Sequence, residues 1–322
     1  MAGNWLFWVL FNGFVVAMLL LDLGVFHRKA HVVRFREALT WTVVWIALAG
    51  TFAVLVYFYG HHMTGDWKRA NSELALEFLT GYLIEESLSV DNLFIFLLIF
   101  RHFAVPKQNQ HKVLFWGILG ALIMRAIFIA AGVTLIRRFE WIIYLFGAFL
   151  VYTGLTLMFQ HGASVNPKDS RVLRWFRKVV RVTHDYESDR FLVRRPDGWF
   201  ATPLMLVLVL VESTDVLFAT DSIPAVLAVT RDPFIVYTSN VFAVLGLRSL
   251  YFALAGMMDL FHYLHYGLAV ILMFIGAKML VSHYYPVPIH VALSVVAGVL
   301  AVSIAASLVF PKKHANDAAS AS

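Results

Sequence analysis

Nine stretches of this chain are long and apolar enough to cross a bilayer, and they follow one another with short polar breaks: 4–26, 39–59, 74–100, 112–136, 140–159, 202–230, 233–257, 263–284 and 287–310. About 20 apolar residues make a helix that spans the hydrocarbon core. In that medium, without water, the backbone must satisfy its hydrogen bonds internally. The pattern predicts an all-α, polytopic membrane protein of about nine transmembrane helices. A soluble fold is excluded by composition, since 60% of the 322 residues are hydrophobic and 14% charged, where a soluble domain carries roughly a quarter charged residues. Cysteine is absent, which removes disulfides, thiolate metal sites and thiol redox chemistry and leaves oxygen or imidazole to hold any metal. No nucleophile elbow, phosphate-binding glycine loop or HExxH motif is present, so nothing points to an enzyme or a resident cofactor.

An odd number of spans puts the termini on opposite sides, and the basic residues orient the chain, because cytoplasmic loops carry the excess of Lys and Arg. Arg28, Lys29, Arg34 and Arg36 follow the first span; Arg101, Lys107 and Lys112 follow the third; nine Lys and Arg residues from Lys168 to Arg195 follow the fifth; Lys312 and Lys313 lie in the tail. The alternate loops are poorer, with Lys68 and Arg69, Arg137 and Arg138, and Arg231. The expectation is an N-terminus outside and a C-terminus in the cytoplasm, with the first span retained as a helix rather than cleaved as a signal. The net charge of +6 is thereby explained by topology and the lipid surface, with no nucleic-acid partner.

The organisation read from this is two N-terminal helices in 1–60, a three-helix unit in 73–159, a basic cytoplasmic loop in 160–200, a second three-helix unit in 201–284, a ninth helix in 285–310 and a disordered cytoplasmic tail in 311–322. In the loop, RVLRWFRKVVRV sets Val172, Trp175, Phe176 and Val179 at helical spacing among basic residues, suiting either an amphipathic helix on the anionic leaflet or a solvated anchor. Pro196-Asp197-Gly198 between short apolar runs predicts a small hairpin.

The two three-helix units resemble each other. SVDNLFIF (Ser89–Phe96) matches STDVLFAT (Ser213–Thr220), LIMRAIF (Leu122–Phe128) matches LGLRSLY (Leu245–Tyr251), and YTGLTLM (Tyr152–Met158) matches FIGAKML (Phe274–Leu280), in the same order. Three helices per unit send the second copy into the membrane from the opposite side, an inverted repeat of the kind transporters use. The register of the acids stays open, with Asp91 matching Asp215 or Asp221.

Both units carry acids inside apolar runs: Glu85, Glu86 and Asp91 in GYLIEESLSVDNLF, and Glu212, Asp215 and Asp221 in VESTDVLFATDSIPA. Each would cost roughly 2.5–3.5 kcal/mol facing lipid, so they face one another or water. Three readings compete: pairing with the intramembrane cations Arg125, Arg248 and Lys278, a proton relay, or chelation of a divalent cation. Three cations neutralise at most three acids, which favours a bound metal. At 100° per residue, Glu85, Ser89 and Asn92 share a face, as do Glu212 and Asp215. Pro224 withholds an N–H from the Thr220 carbonyl and predicts a helix break beside Asp221, which makes the Thr220 carbonyl and the Ser222 hydroxyl further candidate ligands. Such hard oxygen donors suit Mn²⁺, Mg²⁺ or Ca²⁺.

The segments GYLIEESLSVDNLFIF, ATPLMLVLVLVESTDVLFATDSIPAVLAVT, RDPFIVYTSNVFAVLGLRSLYF and YGLAVILMFIGAKMLV resemble the TerC family of integral membrane proteins, in its Alx-like branch. The resemblance implies nine helices, a bacterial inner-membrane location and export of Mn²⁺ as substrate. Carried over by motif position, it implies Glu85, Asp91, Glu212, Asp215 and Asp221 as essential acids, with Asn92 in the same motif. Glu86 stands where relatives carry Lys and is not counted as a ligand. Thr156 stands where they carry a Lys matching Lys278, which weakens a paired-lysine role. Asp22, at the end of the first span in LDLGVF, is a candidate relay point. The alternatives are an assembly or metalation factor for exported proteins, and a proton-coupled exporter of another hard cation.

Overall fold

The computed structural model describes residues 5–26, 35–139, 141–159, 171–183, 185–255, 263–282, 284, 285 and 287–309. Ten helices and one hairpin are formed: α1 (Trp5–Phe26), α2 (Phe35–Thr64), α3 (Asn71–His102), α4 (Lys107–Arg138), α5 (Ile142–Phe159), α6 (Arg171–Val179), β1 (Leu192–Arg195), β2 (Gly198–Ala201), α7 (Pro203–Leu227), α8 (Pro233–Leu254), α9 (Leu264–Val281) and α10 (Ile289–Val309). Each expected span is one helix, and α6 is the extra one, inside the basic loop. Seven are long and apolar enough to cross a membrane by length and composition. The other two expected spans are α3, which carries the acids, and α1, whose apolar stretch covers Trp5–Leu21. The expected tail, 311–322, lies outside the described residues.

Helix ends follow local chemistry. Pro203 and Pro233 start α7 and α8, where a missing N–H is no loss. Asp232 caps α8 by accepting from the backbone N–H groups of Phe234 (2.9 Å) and Ile235 (3.1 Å). The hairpin forms as expected around Pro196-Asp197, with Arg195 opposite Gly198, whose φ of +122° favours glycine.

The break expected at Pro224 is corrected by the structure. The helix α7 runs through Pro224 and ends at Leu227, so the proline removes one rung of the ladder within the last turns and the packed neighbours hold the rest. The apolar residues of α6 divide between two faces. Leu173 (3% exposed) and Phe176, three residues apart, dock on the bundle, whereas Trp175 and Val179 are exposed.

The centre of the bundle is α8, buried on nearly every face, as its lack of a polar stripe requires. Around it α3 packs on α8, α4 on α7, α3 on α7, and α5 on α9. One aromatic core joins Phe11, Phe52, Phe78, Phe234 and Phe242; a second, aliphatic one joins α5 and α9 to Ile84, Leu88, Ile223 and Val226. On one face Arg69, from the α2–α3 loop, reaches Asp66 (2.7 Å), Glu77 (2.8 Å) and Asp232 of the α7–α8 loop (3.6 Å). On the other, the α3–α4 corner holds the segment before the hairpin: Tyr186 donates to the Phe103 carbonyl (2.6 Å), and Lys112 pairs with Asp189 (2.8 Å).

Candidate functional site

Three close helix approaches assemble the site. Gly81 of α3 sits against Ser239 of α8, where an added Cβ would lie 2.9 Å from the hydroxyl oxygen. One turn on, Glu85 is fully buried, as is Asn240, the residue after Ser239. Gly117 of α4 packs on Val211 of α7, and Gly120 makes room for the Glu212 carboxylate, which an added Cβ would overlap. Small residues at such seams let backbones approach in an apolar medium, where packing replaces the hydrophobic effect.

Arg125 of α4 lies at the junction, 1% exposed. Its Nη1 donates to Glu85 Oε1 and to Asn240 Oδ1 (3.1 Å), and its Nη2 to Asp215 Oδ1 (3.3 Å). The Asn240 amide is oriented by its own donation to the Val236 carbonyl (3.0 Å), which turns Oδ1 toward the guanidinium. One cation thus serves two carboxylates. A buried ion that loses its partner is costly in such a medium.

The polar atoms around it are incompletely satisfied. Glu85 Oε2, Asp215 Oδ2, Ser89 Oγ, Asn92 Nδ2, Ser222 Oγ and Arg125 Nε are buried without a hydrogen-bond partner. Such orphans are rare in folded proteins. The shared face read for Glu85, Ser89 and Asn92 is buried as a unit, and Asp215 also lines a cavity of ≈ 10 Å³ with Val211, Gly117, Ala121 and Leu247, about the space of one water.

The remaining candidates are spread out. Glu212 is half-buried against Gly120. Asp221, also half-buried, accepts from Thr153 of α5 (3.3 Å). The Thr220 hydroxyl donates to the Leu217 carbonyl (2.6 Å). Glu86 Oε2 is buried without a partner. Arg248 of α8 is buried, and Lys278, in the last turn of α9, is half-buried. Asp91 lies in α3 and Asp22 in α1, but the side chains of both fall outside the described residues. Among the described residues no three His, Asp or Glu side chains converge as a preformed metal cage. Sequence reasoning missed Asn240, Thr153 and Gly120. The signal for Asn240 was an amide inside the apolar run VYTSNVF, of the kind an intramembrane helix keeps for a partner.

The model of the integral membrane protein TerC family matches residues 70–315, from the start of α3 past the end of α10. A membrane protein of Myxococcus xanthus, named as uncharacterized, is 49% identical over 308 residues, 96% of this chain and 93% of its own. A protein of Escherichia coli (strain K12) whose name describes a membrane-bound redox modulator, Alx, is 47% identical over 299 residues, 92% of each chain. A Rickettsia felis membrane protein is 40% identical over 302 residues, 94% of this chain and 97% of its own. No solved structure matches the chain.

Proposed function

Because the chain belongs to the TerC family of integral membrane proteins, we propose that it is a secondary transporter that exports Mn²⁺ across the bacterial inner membrane. The path runs through the carboxylate site between α3, α4, α7 and α8, and the two three-helix units rock as inverted repeats around it. The observation that carries this reading is the arrangement at Arg125: two buried carboxylates from different units share one guanidinium, and each keeps a free oxygen among further unpartnered hydroxyl and amide groups. A purely structural ion pair would be closed off by its neighbours. Here Glu85 and Asp215 offer hard oxygen donors to a divalent ion, with Asn92 of the same motif, and with Asp91, Glu212 and Asp221 along α3 and α7 as the further acids of the path. A thiol-based redox role, suggested by the name of the E. coli relative, has no residue here to carry it, since the chain has no cysteine.

The test is Mn²⁺ flux into proteoliposomes containing the purified protein. Saturable flux is expected in the wild type and its loss in Asp215→Asn and Asp221→Asn. Flux absent from the wild type, or unchanged in both variants, refutes the proposal and leaves the acids as structural groups, as an assembly factor would use them.

A further inference from the structure

The contacts of Arg125 are unusual for a side chain that only holds a fold together. Its Nη1 is shared between Glu85 and Asn240, its Nη2 reaches Asp215 at 3.3 Å, and its Nε is buried without a partner. The guanidinium has five donors, and the site does not close around all of them. Its acceptors come from α3, α7 and α8, both units contributing, so the side chain bridges the parts that must move in a rocking transporter.

The charges then set a constraint on the transport cycle. Glu85 and Asp215 together match a divalent ion. Adding that ion while Arg125 stays between them leaves an excess positive charge in a buried site, so the ion and the guanidinium compete for the same two carboxylates. Once the ion has left, two buried carboxylates facing one another would have to cross the low-dielectric centre uncompensated, which is strongly unfavourable. Resting on the transport reading above, we infer that Arg125 is a tethered counter-cation that yields the two carboxylates to the divalent substrate and returns to them when the site is empty, enabling the unloaded transporter to reorient.

This separates two modes of transport. Exchange of Mn²⁺ for Mn²⁺ reorients only the loaded site, and net flux must also return the empty one. In proteoliposomes followed with radioactive Mn²⁺, Arg125→Gln is expected to lower net flux more than about tenfold, since an unpaired buried charge opposes return. Its exchange falls less than about threefold, and Arg125→Lys restores part of the ratio of net flux to exchange. Asn240→Leu, which removes one acceptor of Nη1 at little change in volume, shifts the same ratio in the same direction and serves if Arg125→Gln does not fold. Equal loss of both modes in folded variants, or no change in their ratio, overturns the inference and leaves the transport reading standing. A wild type that moves Mn²⁺ in neither mode overturns both.

Discussion

The seam between α5 and α9 brings two backbones into close contact, and a single methyl group tests it. A Cβ at Gly276 would lie 2.6 Å from the Gly147 carbonyl oxygen and 2.8 Å from both Val151 N and Val151 Cγ2. Ordinary contact begins near 3.4 Å, so Gly276→Ala forces the two backbones apart by about 0.8 Å at that point. Overpacking of this size costs about 1–3 kcal/mol, while replacing a helical glycine by alanine returns up to about 1 kcal/mol. Gly298 of α10 is the control: an added Cβ there meets nothing within 4 Å, so Gly298→Ala receives only the propensity gain. The difference between the two variants isolates the overpacking and should amount to about 1–3 kcal/mol, read as unfolding free energies in mixed micelles. The displacement also reaches the site, because Thr153, between Val151 and Gly154 on the packed stretch of α5, donates to Asp221 at 3.3 Å. Gly276→Ala should therefore impair transport as Thr153→Val does, although only the former loosens the seam. If Gly276→Ala and Gly298→Ala differ by less than about 0.5 kcal/mol, the seam is not close-packed as described and the reasoning fails.

Two further predictions concern the faces. Asp232→Ala, which removes the cap of α8 and the contact to Arg69, should destabilise by about 1 kcal/mol and speed amide exchange at Phe234 and Ile235, whereas Asp232→Asn, still able to accept, should lose less. Lys112, hydrogen-bonded to Asp189, holds that carboxyl below the usual aspartate range. Its contribution is therefore present above the ordinary aspartate pKa and lost as pH falls through the depressed value, so amide exchange in the 185–191 segment should rise on acidification in the wild type, and Lys112→Ala should weaken that dependence.

How much could be read in advance depends on how local each feature is. Helical spans are written in runs of about 20 residues, and all nine stretches became helices; the hairpin turn is written in Pro196-Asp197-Gly198; the face shared by Glu85, Ser89 and Asn92 follows from the helical period alone. Pro224 was misread because a missing rung breaks a helix only when nothing else holds it, and α7 ends within one turn of it, packed against its neighbours. In α6, periodicity showed an apolar set, but which edge met the bundle depended on where the bundle lay, and Leu173 with Phe176 took that place.

The site shows the same division. Sequence by itself determined that a membrane-spanning chain carries acids, Arg125 and a candidate helix face inside the bilayer, because the cost of burying a charge leaves no neutral explanation for those residues. Only the tertiary structure decided that Arg125 meets Glu85, Asp215 and Asn240, which lie 40, 90 and 115 positions away in the chain. Contacts over such separations are set by which helices pack and at what height. That is fixed here by glycines at the seams, Gly81 on Ser239 and Gly120 under Glu212, whose effect is a distance between backbones and leaves no periodic trace along the chain.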